Sequence, residues 1–176
     1  WVFLLGGLTA RYVLRLRRLS AVLLVCVPLV DVVLLLFVGV DTARGAEPTR
    51  AHGLAAVYLG FTVAFGHSVV RWADVRFAHR FADGPAPSRP PKGSRAAVRA
   101  LWVEWFRVVA AATIASLALL AMIAVGGDPV PTSVDEAGEH PYWSTMLGLG
   151  LLSGFWFLAG PAFAGSGRPE DRVPSR

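Results

Sequence analysis

Four long stretches of this chain carry almost no charge. Ala21 to Val40 holds one acidic side chain, Asp31, and Ala51 to Val70 holds only His52 and His67 as basic groups. Val108 to Val125 and Tyr142 to Gly165 hold no charged residue at all. A helix of about 20 residues covers the roughly 30 Å of hydrocarbon in a bilayer. A helix packed on a water-soluble core keeps a polar stripe at every turn, and these runs have none. A hydrophobic fraction of 55%, a charged fraction of 16% and a mean hydropathy of +0.54 agree with that reading. The expected architecture is an all-α polytopic transmembrane helix bundle.

Four full spans are expected, over about 20–41, 51–71, 106–126 and 142–165. The N-terminal stretch differs. Trp1 to Ala10 is apolar, Arg11 interrupts it, and Arg15, Arg17 and Arg18 follow. Its first 14 residues, about 1–14, reach only about 21 Å as a helix, too short to span unaided. The chain does not begin with Met, so a truncated fifth span that starts upstream is expected here. A secretory leader is disfavoured, because its charges precede the apolar stretch and here they follow it. Residues 1–165 then form a single membrane domain, with a loop over 72–106 and a tail over 166–176.

The net charge of +5 and the pI near 10.3 raise the question of nucleic acid, and position answers it. Arg11, Arg15, Arg17 and Arg18 form one basic cluster. Arg71, Arg76, Arg80, Arg89, Lys92, Arg95, Arg99 and Arg107 populate the long middle loop and its flanks. The segment around Asp128, Asp135, Glu136 and Glu139 has no Lys or Arg. Positive residues concentrate on the cytoplasmic side of membrane proteins. The expected path therefore has an outside N-terminus, cytoplasmic segments near 15–19, 72–106 and 166–176, and outside loops near 41–50 and 127–141. The basic face is expected to meet anionic lipid headgroups, not nucleic acid. Only one of the 17 basic residues is lysine, Lys92, a bias typical of GC-rich bacterial genomes, so the expected location is a bacterial inner membrane. Cys26 is the only cysteine, which leaves no disulfide and no thiolate metal cluster.

Arg71 to Ala82 continues the third span as an amphipathic stretch, with Trp72, Val75, Phe77, Ala78 and Phe81 interleaved with charged residues, and is expected to emerge from the bilayer and lie along the interface. Gly84 to Ser94 is a Pro-rich connector. Ser94 is then an N-cap for a helix carrying Trp102 and Trp105, which fit the aromatic belt at the membrane surface. No internal repeat is visible, which weakens an inverted-repeat transporter reading.

Asp31 is the sharpest functional candidate, since a charge at mid-bilayer costs roughly 2.5–3.5 kcal/mol on insertion scales and often marks an ion or proton path. Pro28 precedes it by three residues and lacks the N–H that would support the helix there. A protonated Asp that packs by hydrogen bonding is the simpler alternative. Within the third span His52, Ala56, Gly60, Ala64 and Ser68 recur every four residues and make a small-residue seam suited to close helix packing. Gly150 and Gly154 form a GxxxG pair in the last span, suited to the same purpose. His67 and the boundary residue Asp41 complete the candidate set.

His52 and His67 lie 15 residues apart on one helix, about 22 Å along its axis, so one haem iron cannot reach both. Asp41, Glu47, His52, Glu139 and His140 share the outer side, but their spacing matches no metal motif, and no metal or cofactor is expected. No HExxH, P-loop, GxSxG or paired-aspartate motif is present, so no catalytic residue is assigned.

The run from Val30 to Gly84 resembles the YmcC-like family of small bacterial inner-membrane proteins. The resemblance is carried by Asp31, Asp41, Gly45-Ala46-Glu47, His52-Gly53-Leu54-Ala55-Ala56, Ala64-Phe65-Gly66 and Trp72-Ala73-Asp74. It implies a membrane location, with no activity, substrate or cofactor. The first reading is a non-enzymatic accessory component that packs against a membrane-protein partner or a second copy. The alternatives are a small proton- or cation-coupled transporter using Asp31 with His67 nearby, and an intramembrane enzyme.

Overall fold

The computed structural model describes residues 6–7, 17–81, 84–87, 90–91 and 93–164. The first span expected over about 1–14 and the tail expected over 166–176 lie outside those residues, apart from residues 6–7. The described chain forms α1 (Arg17–Ala43), α2 (Arg50–Phe81), α3 (Arg95–Gly126), α4 (Val134–Glu139) and α5 (Pro141–Ala159), with no strand among the described residues. Among the described residues three helices are long and apolar enough to cross a membrane, α2 over Arg50–Arg80, α3 and α5.

Local sequence explains the ends. α1 runs through Pro28 and stops where Gly45 takes φ +89°, a left-handed conformation that favours glycine. The carbonyl of Asp41 accepts from the backbone N–H groups of Arg44 and Ala46 at 3.0 and 3.1 Å, which closes the helix. Ser94 caps α3 by accepting from Ala97 N–H at 3.2 Å, as its position predicts. Gly127 ends α3 at φ 72°, with its N–H donated to Ile123 C=O at 2.9 Å. α4 is one short helix between the spans, opened by a capping box. Ser133 Oγ accepts from Glu136 N–H at 3.2 Å, and the Glu136 carboxylate reaches back to accept from Thr132 N–H at 2.8 Å.

The stretch from Arg71 to Phe81 continues α2 without a break. No glycine or proline stands between Val70 and Phe81, and the first such signals are Gly84 and Pro85. α5 ends at Ala159, where Gly160 and Pro161 follow.

α2 and α3 form the central antiparallel pair. Ser68 meets Arg107, Gly60 meets Ala111 and Ala115, and Ala56 joins Leu119, Met122 and Ile123. Ala56, Ala111 and Ala115 have no exposed surface, so the interface is made of backbones brought close over small residues. α5 packs on α3, where Trp105 donates its indole N–H to the Ser153 carbonyl at 3.1 Å and Trp102, Trp105, Phe106 and Phe157 cluster. α1 lies against both α2 and α3. The outer surface is apolar: Phe37 is 70% exposed and Leu151 76%. A protein bathed in water does not present so many large apolar side chains in continuous faces, and one bathed in lipid does.

Candidate functional site

Two places gather polar groups within this apolar frame. The first is Asp31, near the middle of α1. The side chain is only 8% exposed, and Oδ2 has no hydrogen-bond partner. It lines a groove between α1 and α2 with Leu34, Ala51, Leu54, Ala55 and Tyr58, with a volume of about 340 Å³. Ala51 and Ala55 leave room because they carry nothing beyond Cβ. Apart from Asp31 and the Tyr58 hydroxyl, the lining is hydrocarbon. His67 does not join it. It is exposed, nine residues beyond Tyr58 on α2, or about 13 Å along the axis. The structure thus separates the two residues that a shared proton path would bring together.

The second place is at the N-terminal end of α2. Tyr142, the second residue of α5, is fully buried. Its hydroxyl is hydrogen-bonded to His52 Nδ1 at 3.0 Å, and the Thr42 side chain reaches the same hydroxyl. Thr42, only 3% exposed, donates its own hydroxyl to the Val38 carbonyl at 2.9 Å. The His140 ring stands edge-on to the Tyr142 ring with centroids 5.6 Å apart. His140 Nδ1 accepts from Tyr142 N–H at 3.2 Å, and Nε2 faces Asp128 Oδ2 at 3.9 Å. One phenol therefore joins α1, α2 and α5, and the α3–α5 connection leans on it. With the phenol sealed from solvent, this cluster is built to hold helix ends together.

The remaining sequence candidates fall as follows. Asp41 is exposed at the end of α1 and contributes its carbonyl to the cap. Glu47 and Glu139 are also exposed, and the outer set of Asp41, Glu47, His52, Glu139 and His140 does not converge. Among the described residues no three His, Cys, Asp or Glu side chains group as a metal ion needs. Ala56, Gly60 and Ser68 of the α2 seam face α3, where Arg107 donates to Ser68 Oγ at 2.8 Å, and Ala64 is half-buried. Gly150 and Gly154 differ: nothing lies within 4 Å of where a Cβ would stand, and both are exposed. Their pattern is that of a contact face, but the described residues leave it open. Sequence reasoning missed Thr42, Tyr142 and Asp128 as a cluster. The available signal was a tyrosine directly after Pro141 at a membrane boundary, across from a histidine at the same depth.

Outside the spans, Glu136 has its carboxyl held below the ordinary value of 4.5, first by the hydrogen bond from the Thr132 backbone and then by that from the Thr132 hydroxyl.

Helices of this length, with outward leucines and phenylalanines and with long stretches almost free of charge, define a polytopic α-helical membrane protein. The chain is 34% identical over 153 residues to a protein of Bacillus subtilis (strain 168) described as uncharacterized membrane protein YmcC; the match covers 86% of this chain and 81% of that protein. The chain belongs to the YmcC family of membrane proteins. The resemblance carried by Val30 to Gly84 thus extends over most of its length. No family model matches the chain, and no solved structure matches it.

Proposed function

We propose that the protein is a non-catalytic component of a bacterial inner membrane that works by lateral association with another membrane protein or a second copy. The observation that carries this reading is the open face of α5. A Cβ added at Gly150 or Gly154 would meet nothing within 4 Å among the described residues, beside Leu147, Leu151 and Leu158 that face outward. Small residues at that spacing let a second helix approach closely, and no helix of the described chain takes the place. In this reading α1 is a fourth span, since its 27 residues reach about 40 Å. The arginine-rich ends of α2 and α3 lie in the cytoplasm against anionic headgroups, with the N-terminus outside and the C-terminus inside.

The test is the mass of the protein extracted from its own membranes into lipid nanodiscs. The wild type should carry a stoichiometric partner or second copy, and Gly150→Leu with Gly154→Leu should release it while the helical circular dichroism stays unchanged. A bare wild-type monomer, or an assembly indifferent to both leucines, would sink the reading.

The unpartnered Asp31 favours a second reading, a proton- or cation-coupled transporter. In liposomes it requires pH-dependent flux that Asp31→Asn abolishes. Equal flux from the two proteins would remove it.

A further inference from the structure

From the Asp31 groove we infer a binding site for a lipophilic ammonium, a membrane-soluble amine that carries its proton. This inference is independent of lateral association through α5. Asp31 is only 8% exposed, and its Oδ2 is both buried and without a hydrogen-bond partner. No backbone N–H group of α1 or α2 donates to it. The lining offers one other polar group, Tyr58, and it makes no hydrogen bond to Oδ2. The donor must come from outside these two helices.

The walls state what kind of molecule can bring it. Leu34, Leu54 and Tyr58 are 53%, 66% and 55% exposed, so they face the surrounding lipid, and the groove opens sideways with them. A hydrated metal ion would have to shed its water against leucines and would find one carboxyl group where it needs several oxygens. An ammonium on an apolar body meets each feature in turn. Its N–H groups satisfy Oδ2, and its charge is complementary to the carboxylate. The face of the Tyr58 ring attracts a cation. The hydrocarbon body lies on Leu34 and Leu54 above the floor that Ala51 and Ala55 leave open. A volume of about 340 Å³ accommodates a body of two to four fused rings or its equivalent.

The probe is 1-pyrenylmethylammonium, with neutral 1-methylpyrene as its uncharged counterpart of nearly equal size. Both are equilibrated by dialysis with protein-loaded and empty nanodiscs. The wild type should bind the ammonium saturably above the empty-disc level, and methylpyrene only by partition. Asp31→Asn should weaken saturable binding at least tenfold, Asp31→Glu should retain most of it, and Leu54→Trp, which fills the groove with Asp31 in place, should abolish it. Asp31→Asn replaces an unpartnered carboxyl with a neutral group of the same shape, so its folding is expected to be intact, and circular dichroism checks this. Absence of saturable wild-type binding overturns the site, as does equal binding by Asp31→Asn. Binding that depends on Asp31 but ignores Leu54→Trp overturns the groove as its location.

Discussion

Tyr142 shows how much one side chain can organise. Its phenol has partners on two other helices and no exposed surface, so Tyr142→Phe leaves the ring packed but leaves His52 Nδ1 without its partner. The expected loss is about 1–2 kcal/mol, seen as a lower midpoint in thermal unfolding in detergent. His52→Ala in the Tyr142→Phe background should then add less than it does alone, because the two share one interaction. Glu136 gives a second residue-scale expectation. Its carboxyl is held low by hydrogen bonds to the ionised form, so the stability it contributes is present above its ordinary 4.5 and is lost as pH falls through the lower folded value. Its titration followed by carbon NMR should have a midpoint below 4.5, and Thr132→Ala should raise that midpoint only part of the way. The backbone donor at 2.8 Å survives the substitution, and the hydroxyl at 3.1 Å does not. An unchanged midpoint in Thr132→Ala would show that the hydroxyl contributes nothing.

Among the helices, the two glycine seams separate what spacing can and cannot reveal. A Cβ on Gly60 would collide with the Ala111 carbonyl and lie 3.1 Å from Ala115 N, both backbone atoms that cannot move aside. Gly60→Ala should therefore destabilise by about 1–3 kcal/mol by forcing α2 and α3 apart. Gly150→Ala and Gly154→Ala should be neutral or stabilising in the isolated monomer, because alanine is the better helix former by about 1 kcal/mol. Unfolding in detergent compares all three directly, and a tolerant Gly60→Ala would contradict the close α2–α3 contact. Both seams were legible as small residues four apart, since that periodicity is a property of the helix itself. Whether another part of the same chain covers a seam is a tertiary fact, and nothing local encodes it. The Ser94 cap was legible because it depends on one side chain and its neighbours. The six residues of α4 and the Thr42–Tyr142–His52 cluster were not, the first because it is too short for periodicity and the second because its members are far apart in sequence.

For the whole molecule, hydrophobicity is turned outward and the tightest packing is made of alanine and glycine. This is why the membrane class was readable from apolar runs alone, while the inward faces were not: in lipid both faces of a helix are apolar, and no polar stripe marks the outside. The charge asymmetry makes the orientation testable. With Cys26→Ser as background, a cysteine at Arg80 should react with a membrane-impermeant maleimide only in inverted vesicles. One at Val130, which is 70% exposed in the α3–α4 connection, should react only in intact spheroplasts. The reverse pattern would invert the proposed topology.

α5 is bounded at both ends, by His140 and Pro141 at its start and by Gly160 and Pro161 after its last turn. Its 19 residues amount to about 28 Å, while α2 and α3, at 32 residues each, reach about 48 Å. The longer pair adapts to a thicker bilayer by sinking further into it, with arginines toward one end of each that extend toward the headgroups. α5 has no spare turn to draw on, and it is tied to α3 by the Trp105 indole and to α2 by the Tyr142 phenol. A thickening membrane would therefore load its strain on the shortest helix and pull on those two ties, so that acyl-chain length becomes a variable to which this protein is mechanically sensitive.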